Sequence, residues 1–260
     1  VHKQYAHGVR EAIYYQKRTD NRWNIKDFVN WITSDDPSTR SSRGTGEYKQ
    51  DFYYYPTNKL RIPVNKENVL KSGIVKPEDA DKIVDYIDIT LPGAIDKARI
   101  VMLDILTNND WKRPIYFTGG SMDSAEYLWM KDYLQLDGLV YKLVPIKTPI
   151  DKNNPYDMGR IDSELMYNIV KRWTWGNMGK EGIYLDPETR KNSIIFRGNL
   201  ARLTEQLIAE GKTAKASEII DIAMKNMPVY AYGYYFTLDP FIQGSYKVGK
   251  KEQARAIALQ

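Results

Sequence analysis

The spacing of apolar and polar positions changes character along the chain: it predicts mixed strands and helices over about the first 150 residues and helices almost alone afterwards. Ile25, Phe28, Val29 and Ile32 recur at i, i+3, i+4 and i+7, one helical stripe that Asn24 is placed to cap and that Ser34-Asp-Asp-Pro37 ends. The Ser/Gly/Arg-rich run 38–50 reads as a mobile surface loop. Residues 59–64 alternate as a strand, which Pro63 pushes toward a sheet edge. Asn65 caps a short helix that Gly73 ends, and Pro77 opens another. Residues 86–91 read as a strand, and 94–106 as a helix with Ile95, Ala98, Val101, Met102 and Ile105 on one face.

The next segment carries the clearest α/β signal. Residues 113–118 form a short apolar strand, Gly119-Gly120 turns it, Ser121 or Asp123 caps a helix to about residue 134, and 139–144 is a second strand. Strand, helix, strand suggests a crossover unit, right-handed if the strands are parallel. A composition shift at 148–154 then marks a boundary. The predicted organisation is a small α/β domain over 1–150, a small mixed sheet with a strand-helix-strand unit, followed by an all-α domain over 151–260.

That second domain shows internal periodicity. Leu200, Leu203 and Leu207 occupy the first-helix positions of a tetratricopeptide repeat, Gly211 ends the helix, and Ala216, Ile220, Ala223 and Pro228 fit its second helix. Small residues at 216 and 223 let two helices cross closely, and Pro228 stops the second. Gly249-Lys250 with Ala254 repeats Gly211-Lys212 with Ala216 at an offset of 38 residues, with Pro240 in the approach as a kink or first-turn residue. The expectation is a tetratricopeptide-like region, divergent because the first-helix Trp is missing; a generic helical hairpin is the alternative.

Composition narrows the chemistry. The 260 residues contain no cysteine, which removes disulfides, thiolate-ligated metals and a thiol nucleophile. The net charge of +5 is spread among alternating signs, a solvated surface and not a nucleic-acid footprint. No apolar run approaches the ~20 residues of a membrane span. The chain starts at Val1 and stops inside a helical pattern, so both ends read as cuts from a longer protein.

Candidate sites are few. His2 and His7 are the only histidines, five apart near one end, without helical spacing for a metal pair, and no G-x-S-x-G occurs for a serine hydrolase. No metal, cofactor or catalytic residue is expected. Asp35-Asp36 before Pro37 reads as a turn, and Asp79, Asp81, Asp85 and Asp88 as surface decoration. Gly119, Gly120 and Ser121 offer backbone N–H groups at a helix start, a candidate anion site, although a plain turn explains them as well. Tyrosine is abundant, and Tyr230, Tyr232, Tyr234 and Tyr235 form a cluster suited to sugar stacking or a protein interface, or to half-buried packing.

Several segments together carry a family resemblance: WNIKDFVNWITSDDP, YYPTNKLRIPVNKENVL, ILTNNDWKRPIYF, YLQLDGLVYKLVP, RWTWGNM with GIYLD, and NLARLTEQLIAEGKTAKA, in this order. The set resembles the C-terminal region of a family of large multi-pass membrane proteins common in Bacteroidetes, itself similar to the transmembrane protein O-mannosyltransferases of C-type glycosyltransferase fold. The resemblance implies that membrane helices and an acidic catalytic loop lie upstream, so no catalytic residue is carried onto this chain. It implies a non-catalytic appendage on the extracytoplasmic, periplasmic face, attached to the membrane domain of the same polypeptide and binding an acceptor protein or glycan. A protein-interaction scaffold unrelated to sugars is the other reading.

Overall fold

The computed structural model describes residues 12–118, 128–149 and 158–259. They form two compact units, one of residues 12–115, 128–133 and 143–149, the other of 116–118, 134–142 and 158–259. In chain order the first unit holds β1 (Ala12–Tyr15), β2 (Trp23–Asn24), α1 (Ile25–Thr33), β3 (Arg40–Arg43), β4 (Gln50–Tyr55), β5 (Lys59–Pro63), α2 (Lys66–Lys71), β6 (Tyr86–Thr90), β7 (Ala94–Asp96) and α3 (Lys97–Asn109). Its strands build two mixed sheets, β3-β4-β1-β7 and β2-β5-β6. Parallel pairing joins β1 to β4 and β2 to β5; the other pairs are antiparallel.

The apolar stripe of α1 folds as its spacing requires. Asn24 caps it by accepting from the Lys26 N–H at 2.9 Å, and Ile25, Phe28 and Ile32 are buried. Phe28 meets Tyr55, whose ring packs on Tyr15 and Phe28 with centroids 5.6 and 5.8 Å away. The Tyr55 hydroxyl donates to the Pro92 carbonyl, and burial pushes it well above the usual phenol range. Trp31 ties α1 to β4 by donating from Nε1 to the Tyr54 carbonyl at 2.9 Å.

Four expectations are corrected here. Residues 40–43 form edge strand β3, not loop, because β4 supplies the backbone partners that an Arg-Ser-Ser-Arg run does not advertise. β5 is central, not an edge, yet Pro63 is tolerated: two-residue β2 pairs only with Leu60 and Arg61, which leaves Pro63 without a β2 partner. The predicted helix over 94–106 splits. Ala94–Asp96 pairs with β1, Asp96 caps α3 through the Arg99 N–H, and the buried helical residues are Ile100, Leu103 and Leu106, while Ile105 is exposed. Fourth, Pro77 opens a helix as expected, but it is of the 3-10 type over Pro77–Lys82 and has no side-chain cap.

A small sheet of β8 (Tyr116–Thr118), β9 (Leu134–Asp137) and β10 (Val140–Leu143), in the order β8-β10-β9, belongs to the second unit except for its last residue, Leu143. β8 and β10 share a sheet as expected, but they run antiparallel, so the parallel crossover does not form. β9, absent from the sequence reading, folds back on β10 at Gly138, whose φ of +75° suits glycine. The proposed helix between the strands falls largely on 119–127, outside the described residues; its last part, Leu128–Tyr133, is 3-10.

Helices α4 (Ser163–Lys171), α5 (Pro187–Ala209), α6 (Thr213–Asn226), α7 (Val229–Tyr232), α8 (Asp239–Lys247) and α9 (Lys251–Ala258) complete the unit. Leu200, Leu203 and Leu207 of α5 are buried against Ala216, Ile220 and Ala223 of α6, all fully enclosed. Gly211, at φ +74°, makes the tight turn between them. The same turn recurs 38 residues later. Lys212 N–H donates to Leu207 O and Lys250 N–H to Ser245 O, both at 2.8 Å, and Ala216 and Ala254 are both buried. Pro240 sits in the first turn of α8, where its missing N–H costs nothing. At Gly244 a Cβ would lie 3.2 Å from Ile220 Cδ1 and Thr204 Cγ2, so glycine is what lets α8 approach α5 and α6.

Candidate functional site

The tyrosine cluster lies on the connection from α6 to α8. Pro228 precedes the single turn α7, Gly233 adopts φ +68°, ψ −139°, a conformation reserved for glycine, and Tyr234 follows in the left-handed region at φ +54°. A 3-10 turn over Tyr235–Thr237 then leads into α8. The backbone reverses so sharply that neighbouring side chains part company. Tyr230, Tyr235 and Phe236 are 66, 60 and 70% exposed, whereas Tyr232 is 2% exposed. The Tyr232 ring belongs to the helical core and its hydroxyl donates to the Met178 carbonyl at 3.1 Å. Of the four candidate tyrosines, then, Tyr232 is a packing residue. Tyr234 is half-buried with its ring edge-on to Phe236, centroids 6.1 Å apart. Phe236, which the sequence reading passed over, is the most exposed aromatic of the turn.

Beneath this turn lies Arg197 of α5, fully buried. One terminal nitrogen donates to the Gly233 carbonyl at 2.6 Å and to Thr237 Oγ1 at 3.1 Å; the other donates to the Met227 carbonyl at 2.7 Å. No carboxylate among the described residues pairs with it, so main-chain dipoles do the work of a counter-ion, and its Nε has no hydrogen-bond partner. Burial pulls the guanidinium down to about 10. The three acceptors bracket residues 227–237, so one side chain fixes the curvature that displays the exposed aromatics. An arginine inside a helical pattern gives no such signal from sequence.

Other polar groups went unread. In the small sheet, Asp137 and Lys142 form a buried ion pair at 3.3 Å, and Gln135 donates to Asp137 at 2.8 Å. On the helices, Glu164 receives both Lys212, at 2.8 Å, and Lys215. Hydrogen bonds from these two lysines draw its carboxyl down to about 2. In the first unit, Arg61 grips Asp88 with two 2.8 Å hydrogen bonds and lies 3.5 Å over the Tyr86 ring, so Asp88 is more than surface decoration. Asp36 does shape a turn, accepting from Ser38 N–H. Gly119, Gly120, Ser121, His2 and His7 lie outside the described residues.

The first unit also holds a strained turn. At the end of α3, Asp110 and Trp111 take consecutive left-handed conformations, φ +45° and +59°, costing roughly 1–2 kcal/mol each for non-glycine residues. The carboxylate and carbonyl of Asp110 accept from Asn68 Nδ2 at 2.9 and 2.8 Å, and Asn65 Nδ2 donates to the same carboxylate at 3.2 Å. Trp111 Nε1 donates to the Pro63 carbonyl at 2.8 Å.

Residues 1–165 match the family model described as TMEM260-associated domain 2, and the chain belongs to that family. No curated protein and no solved structure matches the chain. The family gives a membrane-protein context, and no helix among the described residues is long and apolar enough to cross a membrane. Trp111 lies inside the matched span; Arg197 and the tyrosine turn lie beyond it.

Proposed function

We propose that this chain is a non-catalytic extracytoplasmic accessory part of a membrane glycosyltransferase-like protein, and that it binds an acceptor protein or glycan through the turn at 230–236. The observation that carries the binding reading is the display of Tyr230, Tyr235 and Phe236 on a backbone held by Arg197. Exposed aromatic rings, two of them here with a phenol hydroxyl at the tip, lose little rotamer entropy on binding and stack on sugar faces or fill protein pockets. Family membership supplies the membrane context, and the resemblance to O-mannosyltransferases supplies the sugar chemistry. The repeated Gly-Lys turn with its buried alanines supports a divergent tetratricopeptide-like arrangement for α5, α6, α8 and α9, the sort of stack that presents a binding face. That repeat also supports the second reading, a protein scaffold unrelated to sugar transfer.

Two measurements test the proposal. Assayed with lipid-linked and nucleotide sugars, the isolated 260 residues should show no transfer or hydrolysis; turnover matching the full-length protein in membranes would overturn the accessory role. On a glycan array beside a pull-down of envelope proteins, the double variant Tyr230→Ala/Tyr235→Ala should lose the ligand of the parent chain. Retention on both platforms would remove the turn from recognition, and capture of proteins alone would favour the scaffold.

A further inference from the structure

We propose that the outward face of α3, in the first unit, is a membrane-contact surface that lies in the headgroup layer of an anionic phospholipid bilayer. It is separate from the tyrosine turn and does not rest on the reading given for it. α3 is apolar on two opposite sides. Ile100, Leu103 and Leu106 are buried. Ala98, Val101, Met102 and Ile105 stand at i, i+3, i+4 and i+7, the stripe whose spacing predicts a core face, and the structure turns it away from the buried one. Ala98 is exposed, Val101 and Met102 are half-buried, and Ile105 is 52% exposed. A helix on the surface of a globular protein carries polar residues on its outer side. A contiguous apolar stripe there marks a contact with something other than water.

The charges around the stripe select the occupant. The carboxylates along this segment are each held by the protein. Asp96 caps α3 by accepting from the Arg99 N–H at 2.9 Å, Asp104 accepts from Asn108 Nδ2 at 3.0 Å, and Asp110 accepts from the Asn65 and Asn68 amides. The exposed basic side chains are uncommitted: Lys97 before the stripe, and Lys112 and Arg113 after it, enter no ion pair among the described residues. Long basic side chains at the ends of an apolar stripe lay their stems along it and carry their charge to lipid phosphates. An apolar groove on another protein would cover the stripe and leave these cations unanswered, whereas an anionic bilayer surface meets both.

The dimensions agree. At 13 residues, about 20 Å, α3 is too short to cross a bilayer and suits a position in its surface. Family membership supplies a membrane-protein context for such a contact.

The test is co-sedimentation of the 260-residue chain with vesicles of phosphatidylcholine alone and of phosphatidylcholine mixed with phosphatidylglycerol. Binding is expected to the mixed vesicles, weakening with salt, and little to the others. A net charge of +5 attracts the whole chain to an anionic surface, so two variants of equal charge separate the stripe from that background. Ile105→Asp lies on the stripe, and Ile195→Asp lies on α5 at a site 43% exposed. Ile105→Asp should lower the partition coefficient about fivefold or more beyond Ile195→Asp, the loss of roughly one apolar side chain from the contact. The double variant Lys97→Gln/Lys112→Gln should also weaken binding to the mixed vesicles. The proposal is overturned by no binding to anionic vesicles, by equal losses in the two aspartate variants, or by unchanged binding in the lysine variant. A lipid-free dimer that Ile105→Asp dissociates would overturn it as well, by giving the stripe to a second copy of this chain.

Discussion

Asn68 holds Asp110 twice, donating its side-chain amide to the carbonyl at 2.8 Å and to the carboxylate at 2.9 Å. One residue of α2 thereby fastens the left-handed end of α3 across 42 positions of sequence. Asn68→Ala removes both bonds and leaves the strained turn with the weaker Asn65 contact. The expected loss is about 1–2 kcal/mol in urea-melt stability, set by hydrogen bonds to a partly exposed charged group. A change below about 0.3 kcal/mol would mean that the turn holds itself.

Arg197 is the corresponding fastener of the second unit. Arg197→Met keeps the volume and strips three acceptors of their donor, leaving the buried Met227 carbonyl unpaired. Destabilisation of roughly 2–4 kcal/mol is expected. Arg197→Lys should not restore it, because a single ammonium cannot span carbonyls reached by a planar fork. Full rescue by lysine in thermal melts would show that charge alone matters here.

Ala223 is fully buried where α6 meets α5. Ala223→Leu inserts three carbons into packed space and should cost ~1–3 kcal/mol by forcing the helices apart. A neutral or stabilising result in chemical denaturation would contradict close crossing at this position.

Glu164 titrates at about 2 in the folded chain, below its ordinary value near 4.5, because Lys212 and Lys215 hydrogen-bond it. A depressed carboxyl contributes stability that is present above the unfolded value and lost as pH falls through the folded one. Thermal melts should therefore separate the parent chain from Glu164→Gln above about pH 5, with the gap closing between pH 4.5 and 2. Salt should shrink it too, since these groups are substantially exposed. A gap independent of pH would trace it to packing.

Tyr230 is 66% exposed, so Tyr230→Ala should leave stability within about 0.5 kcal/mol, while Tyr232→Ala removes a buried ring and should cost about 3–5 kcal/mol. Equal effects in parallel melts would erase the division of roles at this turn.

What the sequence settled by itself is local. The i, i+3, i+4 stripe of α1 with its Asn24 cap, the Gly211 turn, and the buried leucines and alanines of α5 and α6 follow from side-chain periodicity and caps, whose causes lie within one or two turns of chain. Tertiary structure decided what depends on partners distant in sequence. β3 is a strand because β4 lies beside it, Ala94–Asp96 because β1 does, and β8 because β10 does. The candidate sites belong to the same class. Tyr230 and Tyr232 stand two positions apart on the one-turn helix α7, so their rings point to different sides, and which of them is buried is decided by the helical core and the Met178 carbonyl, 54 residues away, that Tyr232 meets. Likewise the left-handed backbone at Asp110 meets partners from Asn65 and Asn68, more than 40 residues earlier in the chain.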